Sequence, residues 1–164
     1  MPAELNPVVR RFIEDAGNTT QSLGLGRVLG QIYAYLYFSP EARNLSDMQQ
    51  ALGISKGSAS MGVRQLEQWN AVRKVWIRGD RKDYYEANDW LGQIVRNILL
   101  HTAGKKLASS NSLLDSMKAD LNGAGEIKDP AEREFIEQRI QNLRSFQAKA
   151  QKVWNSPIVR MLLK

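Results

Sequence analysis

No cysteine occurs among the 164 residues. That excludes disulfides, thiolate metal sites and cysteine nucleophiles, and it fits a reducing compartment. Histidine is almost as scarce. His101 stands alone, so a metal site or a histidine general base has no second imidazole or thiol to work with. Within a long helical pattern it reads as a structural or surface residue. Long apolar runs are missing too. The longest, Ile32–Phe38, is rich in tyrosine and falls far short of the roughly 20 residues a membrane span needs. The opening MPAELNPVVRRF has no apolar signal-peptide core. Serines are plentiful, yet no nucleophile-elbow pattern surrounds any of them, and no acid–base constellation stands out. The chain reads as soluble and cytoplasmic, not as an enzyme, with no metal, no cofactor and no membrane partner.

What is present is positive charge, unevenly placed. At 164 residues the chain makes one ordinary domain, or a small module with a helical extension. It can bury about 70% of its unfolded surface without covalent staples. Its net charge is +6, with a pI near 9.7. Such a balance suits nucleic acid, an anionic membrane surface or an acidic partner. Between Ser55 and Lys82 stand seven cations: Lys56, Arg64, Arg73, Lys74, Arg78, Arg81 and Lys82. Only Glu67 and Asp80 oppose them, so these 28 residues supply +5 of the +6. A merely solvated basic face is the plain alternative.

Helix signals dominate the rest. Asn6-Pro7 pairs an N-cap with proline at the first helical position, predicting a helix that ends near Gly17-Asn18. A second helix is expected from about Ser22 to Phe38, stopped by Ser39-Pro40. Ser46 with Gln49 three residues on fits a capping box for a short helix to Leu52. Gly53 ends it, Ser55 can cap the next helix, and Asn70 tolerates the left-handed position that closes it. The period then changes from 3.6 to 2. Val72–Ile77 and Asp83–Ala87 read as the strands of a hairpin whose tip is RGDRK, residues 78–82. Long helices follow over 88–121 and 130–154, with the loop NGAGEIKD (122–129) between them, and Ser156-Pro157 opens a short terminal helix.

The stretch LGISKGSASMGVRQLEQW, residues 52–69, is unusual for a helix. Its first turns hold Gly57, Ser58, Ala59, Ser60 and Gly62, and a helical glycine costs about 1 kcal/mol relative to alanine. Small side chains matter where something large approaches the backbone. Short helix, tight turn, glycine-marked helix and charged hairpin, in that order, make a winged helix-turn-helix. The second helix of that motif enters the DNA major groove by its N-terminal turns, whose dipole favours anions. At 100° per residue Ala59, Val63 and Leu66 share the inner face. Gly57, Ser60, Met61, Arg64 and Gln68 share the outer one, flanked by Lys56 and Ser58. Arg64 can pair bidentately with guanine, Ser58 and Ser60 can bind phosphate or base edges, and Met61 can touch a thymine methyl. Arg78, Arg81 and Lys82 sit at the tip that meets phosphates or a minor groove.

The run SDMQQALGISKGSASMGVRQLEQWNAVRKVWIRGDRKDYYEA resembles the winged-helix region of the MarR-like transcriptional regulators, in particular the branch of the glycine-betaine-responsive repressor GbsR. The carriers are LGISKGS at 52–58, RQLEQW at 64–69 and GDRKDYYEA at 79–87. The resemblance is strong over about 23–90 and weaker but compatible beyond. It implies a dimeric, sequence-specific DNA-binding regulator, often a repressor, and in that branch commonly of genes for compatible-solute uptake or synthesis. By the match, Ser55, Lys56, Ser58, Ser60 and Arg64 take recognition-helix roles, and Gly79, Asp80, Arg81 and Lys82 take wing roles. Asn70-Ala71 departs from the glycine that commonly ends the recognition helix, a position asparagine can also fill.

Two motifs mislead. GLGRVLG (24–30) misses the dinucleotide spacing by one residue and follows a helix, so Gly26 and Gly30 are read as sites of close helix packing. Arg78-Gly79-Asp80 spells an adhesion tripeptide, but inside a basic turn. The aromatics are more open. Tyr33 and Tyr37 lie one turn apart, and Trp90 and Trp154 mark the ends of the long helices. Aromatic cages hold quaternary ammonium groups by cation–π attraction, and the resemblance brings choline or glycine betaine into view as effector. Aromatic stripes at helical spacing are, however, ordinarily core, and a polyamine, an ionic-strength response or no ligand at all stand as alternatives.

The expected architecture is mainly α with a small β-hairpin wing: a winged helix-turn-helix plus a long helical dimerisation scaffold. Residues 1–38 are assigned to the scaffold, 39–88 to the DNA-binding region and 89–164 to dimerisation helices. The expected partners are a double-stranded operator and a second copy of the chain. A winged helix serving as a protein-interaction module is the rival reading.

Overall fold

The computed structural model describes residues 5–123 and 129–162. These form two compact units, one reaching to Asn97 and the other starting at Ile98.

In the first unit, α1 (Pro7–Ser22) starts where predicted. Asn6 caps it by accepting the Val8 N–H, and Pro7 opens it. It does not stop at Gly17. Gly17 is buried and faces Gln31 and Arg27, so its missing side chain serves packing, and the helix continues to Ser22. Consequently α2 (Arg27–Tyr37) begins five residues later than the sequence suggested. Gly24 and Gly26, with φ of +74° and +100°, make the turn. A Cβ on Gly26 would meet nothing within 4 Å, so that glycine is a turn residue and not a packing one. Gly30 is the packing residue. Its N–H donates to Thr20 Oγ1 at 3.2 Å, and a Cβ there would lie 2.2 Å from the Ala16 carbonyl oxygen. Helix α2 is central and buried nearly all round, through Gly30, Gln31, Ile32, Ala34, Tyr35 and Leu36. Such a helix must be covered on several sides; α1 packs on one side of it and the next helices on others.

A short strand β1 (Arg43–Asn44) precedes α3 (Leu45–Leu52). The capping box of α3 is Asn44 with Asp47, not Ser46 with Gln49. Asn44 Oδ1 accepts from Ser46 and Asp47 N–H, and Asp47 accepts from the Asn44 N–H. Asparagine ranks with serine as a cap, and aspartate at the third position closes the box as glutamate does. Gly53 then turns the chain at φ +65° into α4 (Lys56–Gln68). Strands β2 (Val72–Val75) and β3 (Tyr84–Ala87) pair antiparallel, with Lys74 opposite Tyr85. β1 adds to the other edge of β3, giving the order β1-β3-β2. The hairpin strands are shorter than expected, since 76, 77 and 83 belong to the connecting loop. The core joins Ile32, Met48, Val63 and Val72, none more than 2% exposed.

Helix α5 (Leu91–Gly123) leaves this unit and continues through the second. There α6 (Pro130–Trp154) starts at an Asp129 cap and a first-turn proline, and α7 (Pro157–Leu162) follows. The loop expected at 122–129 lies mostly outside the described residues. Leu114, Leu121, Ile140 and Gln147 are buried between α5 and α6, and Arg144 bridges to Asp115.

Candidate nucleic-acid interface

Helix α4 is built for presentation. Ser55 caps it: its Oγ accepts the Ser58 N–H at 3.1 Å and shares a 2.9 Å bond with the Ser58 hydroxyl. One O–H of that pair remains for an anion. The far end closes in a Schellman motif, Ala71 N–H to Leu66 O and Asn70 N–H to Glu67 O, with Asn70 left-handed at φ 56°. Asparagine fills the position where glycine is usual.

The two faces separate as the 100° period requires. Ala59, Val63 and Leu66 are buried, whereas Lys56, Gly57, Met61, Arg64 and Gln68 are exposed and Ser60 is half-buried. Met61 is 74% exposed, far more than a methionine serving the core. The glycines also separate. A Cβ on Gly57 would meet only Ser55 Oγ at 3.9 Å, so its surface is open to an incoming partner. A Cβ on Gly62 would lie 2.6 Å from Ile32 Cδ1. Gly62 therefore admits α2, and the reading that both glycines clear space for an outside partner is corrected for this one.

The hairpin loop, 76–83, carries Arg78, Arg81 and Lys82 in solvent. Gly79 turns it at φ +89°. Asp80 ties it: Oδ1 accepts the Lys82 N–H at 2.9 Å and Oδ2 accepts the Tyr84 hydroxyl at 2.7 Å. The Lys82 amide first, then the Tyr84 hydroxyl, holds this carboxyl below the usual carboxylate range. A depressed carboxyl contributes order above its ordinary pKa and loses it as pH falls through the lowered one. The Lys82 amide resonance should therefore titrate with a midpoint below about 3.9. A midpoint at or above that value would mean the tie does not form.

The seven cations of the basic run divide in two. Arg73 pairs with Glu86 and Lys74 with Asp83 at 2.7 Å, across the hairpin. Lys56, Arg64, Arg78, Arg81 and Lys82 make no salt bridge among the described residues. The unpaired ones are those on the outer face of α4 and at the hairpin tip.

The aromatic candidates are partly gathered. The rings of Tyr33 and Tyr37 are 5.8 Å apart. Tyr37 and Trp90 line one hollow of about 440 Å³ with Glu86 and Asp89. Tyr33 donates to the Asn88 carbonyl at 2.8 Å, and burial, then Tyr37 and Asp89, pushes its hydroxyl up to about 12. Trp154 belongs to the second unit, where it lines an apolar groove with Phe146 and Val153. Among the described residues, no group of acidic or imidazole side chains could hold a metal, and no helix is long and apolar enough to cross a membrane.

A capped helix with an open outer face, a basic hairpin beside it and a three-stranded sheet behind define a winged helix-turn-helix. The chain has this fold, and its sequence is similar to those of HTH-type transcriptional regulators. A transcriptional regulator of known crystal structure superposes with a TM-score of 0.61 over 96% of this chain and 100% of its own, at 22% identity. By sequence the likeness is to the branch that includes GbsR. The HTH-type transcriptional repressor GbsR of Bacillus subtilis is 28% identical over 109 residues, 66% of this chain and 60% of its own length. The repressor OpcR of the same organism is 24% identical over 111 residues, 68% and 60% respectively. The regulator MmpR5 of Mycobacterium tuberculosis is 29% identical over 80 residues, 48% of each chain. The chain thus spans about three fifths of the length of GbsR and OpcR. These relatives are regulators of transcription, not enzymes. No family model matches the chain.

Proposed function

We propose that the chain is a homodimeric, DNA-binding transcriptional repressor that recognises a pseudo-palindromic operator. One observation carries the reading: Lys56, Arg64, Arg78, Arg81 and Lys82 are exposed and, among the described residues, without salt bridges, on the helix and loop that a winged helix offers to a duplex. In this reading Arg64, Met61, Ser60 and Gln68 face base edges. Ser55, Lys56, Gly57 and Ser58 lie against phosphates at the positive end of α4, and Arg78, Arg81 and Lys82 hold the adjacent backbone.

Residues 39–88 then form the reading head, with 1–38 and 89–164 as scaffold. One winged helix reads too few base pairs for a genome. Two copies about a two-fold axis read half-sites about one helical turn apart. The dimer is supported by apolar side chains the second unit leaves in solvent, among them Leu113, Phe135, Leu143, Phe146 and Val153. The likeness to GbsR supports compatible-solute genes as targets and a cytoplasmic site of action. Tyr33, Tyr37 and Trp90, with Asp89 beside them, support a quaternary ammonium effector in the first unit, and Trp154 supports one only through a surface in the second.

Gel-shift titration across salt concentrations tests the reading. One palindrome should outcompete random DNA by about 10³ or more. Arg81→Ala with Lys82→Ala should weaken binding to every sequence and flatten the salt slope by up to about 0.9 for each phosphate the two cations neutralise. An unaltered slope would remove the hairpin from the duplex backbone. Equal, weak binding to all duplexes would favour a protein-interaction module instead.

A further inference from the structure

Trp76 is 86% exposed, the most exposed large apolar side chain described, and it stands one residue beyond β2 in the hairpin loop. A tryptophan ordinarily buries much of its 150–250 Å². Trp69, at the end of α4, does so at 5% exposure. The setting of Trp76 is charged: Arg78, Arg81 and Lys82 share its loop, without salt bridges among the described residues. Positions 72 and 74 of the adjoining β2 share one face of the hairpin. That face looks toward α4, since Val72 is buried, and the charges of Glu67 and Arg64 act on Tyr85, which is opposite Lys74.

We propose that Trp76 is a DNA-contacting residue whose indole packs on a deoxyribose of the duplex backbone beside the groove that α4 enters. This deepens the DNA-binding reading and rests on it. A partner for this loop must present negative charge and an apolar surface within a few ångströms of each other. The duplex backbone does so at every nucleotide, phosphate next to sugar. The indole supplies apolar contact that the neighbouring cations cannot, and its N–H can donate to a phosphate oxygen. Because the contact is to sugar, it is blind to sequence. Because it is not ionic, it releases no counterion.

The test is a duplex titration of the wild type, Trp76→Phe and Trp76→Ala, followed by tryptophan emission and by gel shift at several salt concentrations. Trp76→Ala should bind every sequence about tenfold more weakly, with the salt slope of the wild type. Trp76→Phe should keep most of the affinity and lose most of the emission change on binding. Unchanged affinity of Trp76→Ala, while the wild type binds duplex, overturns the contact and leaves the DNA reading standing. A flattened slope in Trp76→Ala also overturns it, by showing that the residue acts through its cationic neighbours. A wild type that binds no duplex at low salt takes both proposals down.

Discussion

Gly30→Ala is expected to lower stability by about 3 kcal/mol, at the upper end of what overpacking costs. The added Cβ would stand 2.2 Å from the Ala16 carbonyl oxygen, 2.6 Å from the Ala16 carbonyl carbon and 2.6 Å from Thr20 Oγ1. Two of these atoms are backbone and cannot rotate away, so α1 and α2 must separate. The hydroxyl of Thr20, which accepts the Gly30 N–H, would be pushed off with them. Alanine's better helix propensity acts in the opposite sense, but by only about 1 kcal/mol. Gly104→Ala is the internal control: it lies inside α5 with nothing within 4 Å of the added carbon among the described residues. It should gain up to about 1 kcal/mol by propensity alone. Urea unfolding at fixed protein concentration reads both. Equal midpoints for Gly30→Ala and the wild type would mean that α1 and α2 can part at no cost.

The second large effect concerns specificity. Arg64→Ala is expected to remove about 1–3 kcal/mol of discrimination, roughly five- to 150-fold, at one base pair of each half-site. Arg64 is exposed and has no salt-bridge partner among the described residues, and it rises from the face opposite the buried Val63 and Leu66. Its guanidinium is therefore free of carboxylates and on a rigid helix, the condition for bidentate reading of guanine. Selection of binding sites from a random pool reads the result. The preferred sequence should become degenerate at one position per half-site while the rest of the pattern persists. A profile identical to the wild type would assign base reading to other residues of α4. The contrast with the Arg81→Ala, Lys82→Ala pair is informative: the tip cations should change salt dependence and leave preference intact.

Helix α4 is legible in the sequence because several local signals agree there. Ser55 as cap, Asn70 as terminator and the 100° spacing of Ala59, Val63 and Leu66 each fix one aspect of α4, and all three hold. The start of α6 is legible for the same reason, from Asp129-Pro130. Failures cluster where glycine has two uses. Gly17, Gly30 and Gly62 are packing glycines, and Gly24 and Gly26 are turn glycines. Composition does not distinguish them, because what decides is the atom that would meet a Cβ, and that atom comes from another helix. Hence local signals end α1 early and begin α2 early. Strand β1 escapes because two residues carry no period; only its pairing with Tyr84 and Tyr85 defines it. The exposure of Trp76 escapes because a β-branched and aromatic run reads as a half-buried strand, and nothing local says that the partner strand stops at Tyr84.

Asn88 joins three elements. Its side-chain amide donates to the Asn70 carbonyl at 2.8 Å, its N–H to the Ala71 carbonyl at 2.9 Å, and its own carbonyl accepts the Tyr33 hydroxyl at 2.8 Å. The tail of α4, the root of the hairpin and the middle of α2 are thus riveted at one residue. A push on α2 therefore reaches the end of α4 and the start of the hairpin through the same hinge-pin.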